Sequence, residues 1–219
     1  MSRFLTKETE HYLAELFKQT DPLLLEMEEF AREKRIPIIE PGGAAFLDIY
    51  LRSLKPKRYL ELGTAIGYSA IIAAKALPND ARIVTIEKSK DNLKLAKEYI
   101  SRSGYQHKIT IAEGEAKELL NSFKQEWDCI FIDADKEDYN DLFELSLPLL
   151  CEEGVILIDN LLWHGYTTSD EVPASYKKST EIIRAFNKNL ASGSSFHFTI
   201  VPAGDGIGVV IKKRQLEQI

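Results

Sequence analysis

Five short apolar runs, each followed by a stretch with helical spacing, constrain this chain more than any other feature. They are Arg58 to Leu62, Arg82 to Glu87, Lys108 to Ala112, Trp127 to Asp133 and Gly154 to Asp159. Runs that are apolar almost throughout suit strands covered on both faces, which is the condition of a parallel sheet between two helical layers. The segments between them have helical periodicity and the length of crossovers, so the expected fold is α/β with a doubly wound, Rossmann-like sheet. Near the end, Ser195 to Pro202 and Gly206 to Lys212 are two β-rich runs joined by AGD. That joint is short enough for a hairpin, so the mostly parallel sheet should finish with an antiparallel hairpin strand.

Ahead of this core, Thr6 to Lys18 and Pro22 to Lys34 read as helices, with Asp21 as cap and Pro22 as first residue of the second. After IPIIEPGG, where prolines and glycines interrupt regular structure, Ala44 to Leu54 reads as a third. Residues 1–54 are thus an N-terminal helical layer and 55–219 a Rossmann-like core. At 219 residues, 44% hydrophobic and 28% charged, the whole suits one domain.

No apolar run approaches the roughly 20 residues that span a bilayer, and MSRFLTKETEHYL is polar and amphipathic, unlike a secretory leader. A cytoplasmic protein with no membrane partner is expected. Cys129, inside a strand, and Cys151, at a helix-to-strand turn, form neither a disulfide framework nor a CxxC pattern. The net charge of -6 argues against broad nonspecific binding to nucleic acid. A local track of Lys34, Arg35, Lys55, Lys57, Arg58, Arg102 and Lys108 is the exception to look for. The N-terminal amphipathic helices offer either a dimer face or a lid; a homodimer is expected.

Open α/β sheets bind ligands at the carboxyl ends of their strands. Two acidic pairs stand there: Asp133 with Asp135 in CIFIDADKEDY, and Asp159 with Asn160 in GVILIDNLLW. Two carboxylates and one amide oxygen are hard ligands, suited to Mg2+, Mn2+ or Ca2+, and leave positions for a substrate. At the same edge, Gly63 and Gly67 in GTAIG lack the third glycine of a pyrophosphate-binding turn. Glu61, just before them, would repel a pyrophosphate and attract a sulfonium or ammonium, which favours S-adenosylmethionine over NAD. Glu87, closing the second strand, can accept ribose hydroxyls. Tyr68 and Ser69 open the next helix and serve either packing and capping or cofactor contact. Asp135, Glu137 and Asp138 read as caps of the following helix, Asp135 equally as a neighbour of the cofactor.

ELGTAIGYSA, TIE, FIDADKEDY, LIDN and the late GDG together resemble the divalent-metal-dependent class I methyltransferases of the catechol and caffeoyl-CoA O-methyltransferase type. The resemblance runs from IPIIEPGG to the terminal hairpin, and the small bacterial members, among them the tRNA 5-hydroxyuridine methyltransferase, look most similar. It implies S-adenosylmethionine as cofactor and Asp133, Asp159 and Asn160 as metal ligands. It also implies Lys136 as catalytic lysine beside Asp133, and Glu87 as ribose acid. Ile39, Gly63, Ser69 and Glu115 fall where the family contacts the cofactor, with Ala116 beside them. Glu115 departs from the pattern, since Gly114-Glu115-Ala116 stands where the family has a shorter Asp.

A hydroxyl on a divalent cation ionises more readily, and Lys136 can take its proton or stabilise the oxyanion. The stretch LLWHGYTTSDEVPASYKK after Asn160 reads as a lid whose Trp163, His164 and Tyr166 either stack on a planar acceptor or pack the loop. The expected acceptor is a small hydroxylated aromatic, with a hydroxylated uridine of tRNA as the alternative. A NAD-binding or noncatalytic nucleotide module is a third reading, against which stand the missing glycine and Glu61.

Overall fold

A computed structural model describes residues 6–214. Three helices come first, α1 (Lys7–Leu16), α2 (Pro22–Lys34) and α3 (Pro41–Leu54). Strands and helices then alternate: β1 (Arg58–Leu62), α4 (Tyr68–Ala76), β2 (Arg82–Glu87), α5 (Lys90–Ser103), β3 (Ile109–Glu113), α6 (Ala116–Ser122) and β4 (Trp127–Ile132). The chain ends with α7 (Tyr139–Ser146), β5 (Leu150–Ile158), α8 (Lys177–Ser192), β6 (Phe196–Val201) and β7 (Ile207–Lys212).

The strands make one sheet in the order β3-β2-β1-β4-β5-β7-β6. β1 to β5 run parallel, β7 is antiparallel to β5, and β6 to β7. The doubly wound fold and its hairpin finish are as the sequence implies. Strand order reverses between β1 and β4, and a crevice opens at their carboxyl ends. Alternation along each strand divides the core in two. Tyr59, Cys129, Phe131, Val155 and Leu157 pack with α2 to α5, while Leu60, Ile130, Ile132, Ile156 and Ile158 pack with α7 and α8.

Asp21 caps α2 as expected, accepting from the backbone N–H of Leu23 at 2.9 Å and of Leu24 at 3.3 Å. Two boundaries differ by more than two residues. β5 begins at Leu150, because Leu150 pairs with Trp127 across a register shift, so Cys151 lies in the strand. α3 begins at Pro41, so Gly42 and Gly43 lie inside its first turn. Their smallness serves close approach: a Cβ on Gly42 would lie 2.9 Å from the backbone nitrogen of Gly204, in the β6–β7 turn. Both cysteines are free. Among the described residues, no helix is long and apolar enough to cross a membrane.

Candidate active site

A cleft of about 750 Å3 opens at the carboxyl ends of β1, β2 and β4. Gly63 makes it possible. Its φ is 106°, and a Cβ there would lie 1.9 Å from the carbonyl oxygen of Asp133, so β1 and β4 come together too closely for any side chain. Beyond it, Glu87 is held by the backbone. Its Oε2 accepts from Ala65 N–H at 2.9 Å, and its Oε1 from Lys88 N–H at 3.0 Å and Ser89 N–H at 2.8 Å. A carboxylate offers about four acceptor positions, so roughly one is left for a ligand.

Ile39, Tyr68, Ser69, Glu115 and Ala116 line this part of the cleft with Gly63 and Glu87. Glu61 and Gly67 do not. Glu61 lies fully buried under the floor, accepting from Thr85 Oγ1 at 2.7 Å and from the Tyr59 hydroxyl at 3.4 Å. Burial raises its pKa to about 8, against the opposing hydrogen bonds of Thr85 and Ser69. The open carboxylate expected from its place near the strand end is therefore absent. Gly67 takes a φ of 88° before α4 and faces Ile100 and Ala96.

The other end is built by β4 and β5, whose ladder continues one step past each strand. Asp133 N–H donates to Leu62 O and Asp159 N–H to Ile132 O, both at 3.0 Å. Asp133, Asp159 and Asn160 all line the cleft. Asp159 is buried, and its pKa stands well above the ordinary carboxylate range, first through burial and then through the charge of Asp133. Lys136 Nζ donates to Asn160 Oδ1 at 2.6 Å and Ala134 O at 3.1 Å, and lies 3.6 Å from Asp133 Oδ1. It also sits over the rings of Tyr139 and Trp163 at 4.9 and 5.6 Å. No group of three or more His, Cys, Asp or Glu able to hold an ion occurs among the described residues. The donor set here is two carboxylates and an amide. It still fits a hard divalent cation, since two neighbouring carboxylates, one of them buried, face a single lysine.

One wall is aromatic. Trp163 and His164 take φ of 49° and 54° in a short 3-10 turn, and with Tyr176 they line the cleft. Tyr166, grouped with them in the expected lid, is buried behind, its ring 5.1 Å from that of Tyr176. The Pro37–Glu40 segment also lines the cleft, and among the described residues α1 and α2 supply no lining residue.

A family model described as O-methyltransferase matches residues 8–213. The chain belongs to the O-methyltransferase family. It is 30% identical over 224 residues to a catechol O-methyltransferase of Niastella koreensis, a match covering 97% of this chain and 100% of that protein. It is 34% identical over 170 residues to a caffeoyl-CoA O-methyltransferase of Populus kitakamiensis, covering 74% and 72%. The structure of the O-methyltransferase TomG from Streptomyces achromogenes, in complex with SAM, superposes with a TM-score of 0.80 at 26% identity, covering 94% of this chain and 96% of that one.

In this methyltransferase three acidic residues read as caps work differently, although Asp135, read equally as a neighbour of the cofactor, does line the cleft. Asp135, Glu137 and Asp138 cap nothing with their side chains. They pair instead with lysines from distant segments: Asp135 with Lys88 at 3.2 Å, Glu137 with Lys178 at 3.3 Å and Asp138 with Lys117 at 2.6 Å. Lys88 also reaches Glu115 at 3.6 Å, tying two cofactor candidates together. Much of the basic track is committed elsewhere. Lys57 pairs with Asp80, Arg58 with Asp128 and Arg102 with Glu26, while Lys108 is buried against the carbonyls of Ala74 and Leu77.

Asp205, the acid of the GDG segment, was given no role by the sequence reading. It lies in the turn between β6 and β7, buried, with Oδ1 accepting from His164 N–H at 2.5 Å and Oδ2 from Asn160 Nδ2 at 3.3 Å. The available signal was an acid flanked by Gly204 and Gly206, both at positive φ, in a turn otherwise free of reasons for one.

Proposed function

We propose that this methyltransferase uses S-adenosylmethionine and a divalent cation, Mg2+ before Mn2+ or Ca2+, to methylate a hydroxyl of a small catechol-like aromatic. The observation that carries this reading is a single cleft with a backbone-held Glu87 at one end and Asp133, Asp159, Asn160 and Lys136 at the other. The chain's similarity to the catechol and caffeoyl-CoA O-methyltransferases supports it.

When bound, the cofactor supplies a sulfonium methyl open to in-line attack, and the cation makes a hydroxyl easier to ionise. The chain does the rest by placement. Glu87 holds the nucleoside through its remaining acceptor position. Trp163, His164 and Tyr176 give a planar ring a surface to stack on. Lys136 has three oxygen neighbours, which match the three donors of an ammonium. On this reading it gives up one of these neighbours to hold developing negative charge on the acceptor oxygen.

A hydroxylated uridine in tRNA is the second reading, sharing every residue named. The commitment of Arg58, Arg102, Lys57 and Lys108 to other partners weighs against a phosphate-tracking surface. The test is to incubate enzyme, labelled cofactor and Mg2+ with a panel of catechols and, separately, with undermodified bulk tRNA. Label in the catechol fraction is expected; label confined to RNA would replace the acceptor proposed here.

A further inference from the structure

Asn160 is held between two neighbours of opposite character. On one side, the ammonium of Lys136 donates to its Oδ1 at 2.6 Å. On the other, the carboxylate of Asp205 accepts from its Nδ2 at 3.3 Å. A lysine can only donate and an ionised carboxylate only accept, so both neighbours select the same orientation of the amide. That orientation keeps the oxygen of Asn160, rather than its NH2, on the side of Lys136 and Asp133.

Asp205 has a second attachment. Its other oxygen accepts from the backbone N–H of His164, and its main-chain oxygen accepts from Leu162 N–H at 2.9 Å. One buried residue of the β6–β7 turn thus reaches both the exit of β5 and the left-handed Trp163–His164 turn that forms the aromatic wall.

We infer that Asp205 is a positioning residue for the metal site: it fixes the Asn160 amide with its oxygen turned toward the cation and anchors the acceptor wall through His164. This rests on the metal reading proposed above. Asp205 touches neither cation nor acceptor in this role; it acts through Asn160, as a partner one step behind a metal ligand does.

The substitution that isolates the effect is Asp205→Asn. Nearly the same shape, it can keep its Oδ1 on the His164 N–H, but it then presents an NH2 to the NH2 of Asn160. Two donors face each other, and the Asn160 amide turns over, directing its NH2 at Lys136 and the cation. Adding Asn160→Asp restores a donor–acceptor pair with reversed polarity, from the new amide at 205 to the new carboxylate at 160. It also returns an oxygen to the metal side.

Mn2+ binding is measured by titration calorimetry on wild type, D205N, N160D and the double variant, with S-adenosylhomocysteine binding as the control. D205N should bind Mn2+ about tenfold or more weakly, the scale of such supporting residues. The double variant should recover to within about threefold of wild type or better, and S-adenosylhomocysteine affinity should not change in either. Wild-type binding with D205N unchanged would overturn the inference and leave the metal reading standing. A wild type that binds no Mn2+ would remove the metal reading and this inference with it. If D205N does not fold, the double variant decides: folded yet tenfold weaker than N160D, it refutes the role of Asp205.

Discussion

At the Glu87 end of the cleft, three of about four carboxylate acceptor positions are already met by backbone N–H groups. At the Asp159 end, a buried carboxylate lies near Asp133, with Lys136 as the cation beside them, and its pKa is driven up by burial and by that neighbour. The first end is held in place by the fold itself, with roughly one acceptor position left open. The second holds a buried carboxyl whose charged form the chain disfavours, which is the condition a divalent cation relieves. On the function proposed above, cofactor and metal recognition are built on separate strands, Glu87 on β2 and the acids after β4 and β5, and should fail separately.

The largest effect should come from Asp159→Ala. Turnover should fall by more than about 100-fold, since even residues one step behind a metal ligand act on the scale of 10 to 100-fold. S-adenosylmethionine affinity by calorimetry should stay within about threefold. Loss of cofactor binding together with turnover would mean that the two ends are one unit.

Glu87→Gln probes the opposite end. A hydrogen bond to a charged group contributes roughly 1.5–3 kcal/mol, so cofactor affinity should weaken at least about tenfold. Mn2+ binding should be untouched. If metal affinity falls as far as cofactor affinity, the division between the ends is wrong.

Both ends were readable in the sequence because strand ends are readable: an apolar run stops, and the polar residues after it must emerge at the sheet edge. β1, β2 and β7 behave this way, as do Asp133, Asp159, Asn160 and Glu87. What could not be read depends on partners distant in sequence. Asp135, Glu137 and Asp138 look like caps locally, yet Lys88, Lys178 and Lys117 take their side chains. Gly42 looks like a helix breaker, yet it is small because Gly204 approaches it. Asp205 stands in the legible GDG segment, but its role was not legible, since Asn160 and His164 reach it from the loop after β5. Glu61 was misplaced for a simpler reason. It precedes the last residue of β1, and alternation turns it toward the buried face that Tyr59 also occupies, under the cleft floor.

Glu61 and Glu87 sharpen the comparison on neighbouring strands, one carboxyl satisfied by backbone N–H groups and the other by hydroxyls in a dry site. With a folded pKa of about 8 against an ordinary 4.5, Glu61 stays protonated in the native state while the unfolded chain has already lost its proton. The unfolded state then binds fewer protons, so stability is fully present below about pH 4.5 and falls as pH rises toward 8, by at most about 1.4 kcal/mol per unit. Glu61→Gln mimics the protonated acid and does not titrate. Scanning calorimetry of both proteins at pH 5, 6.5 and 8 should therefore show the variant gaining on wild type at each step. Parallel pH curves would mean that Glu61 ionises freely where it lies, and the contrast between a dry floor and a charged rim would be lost.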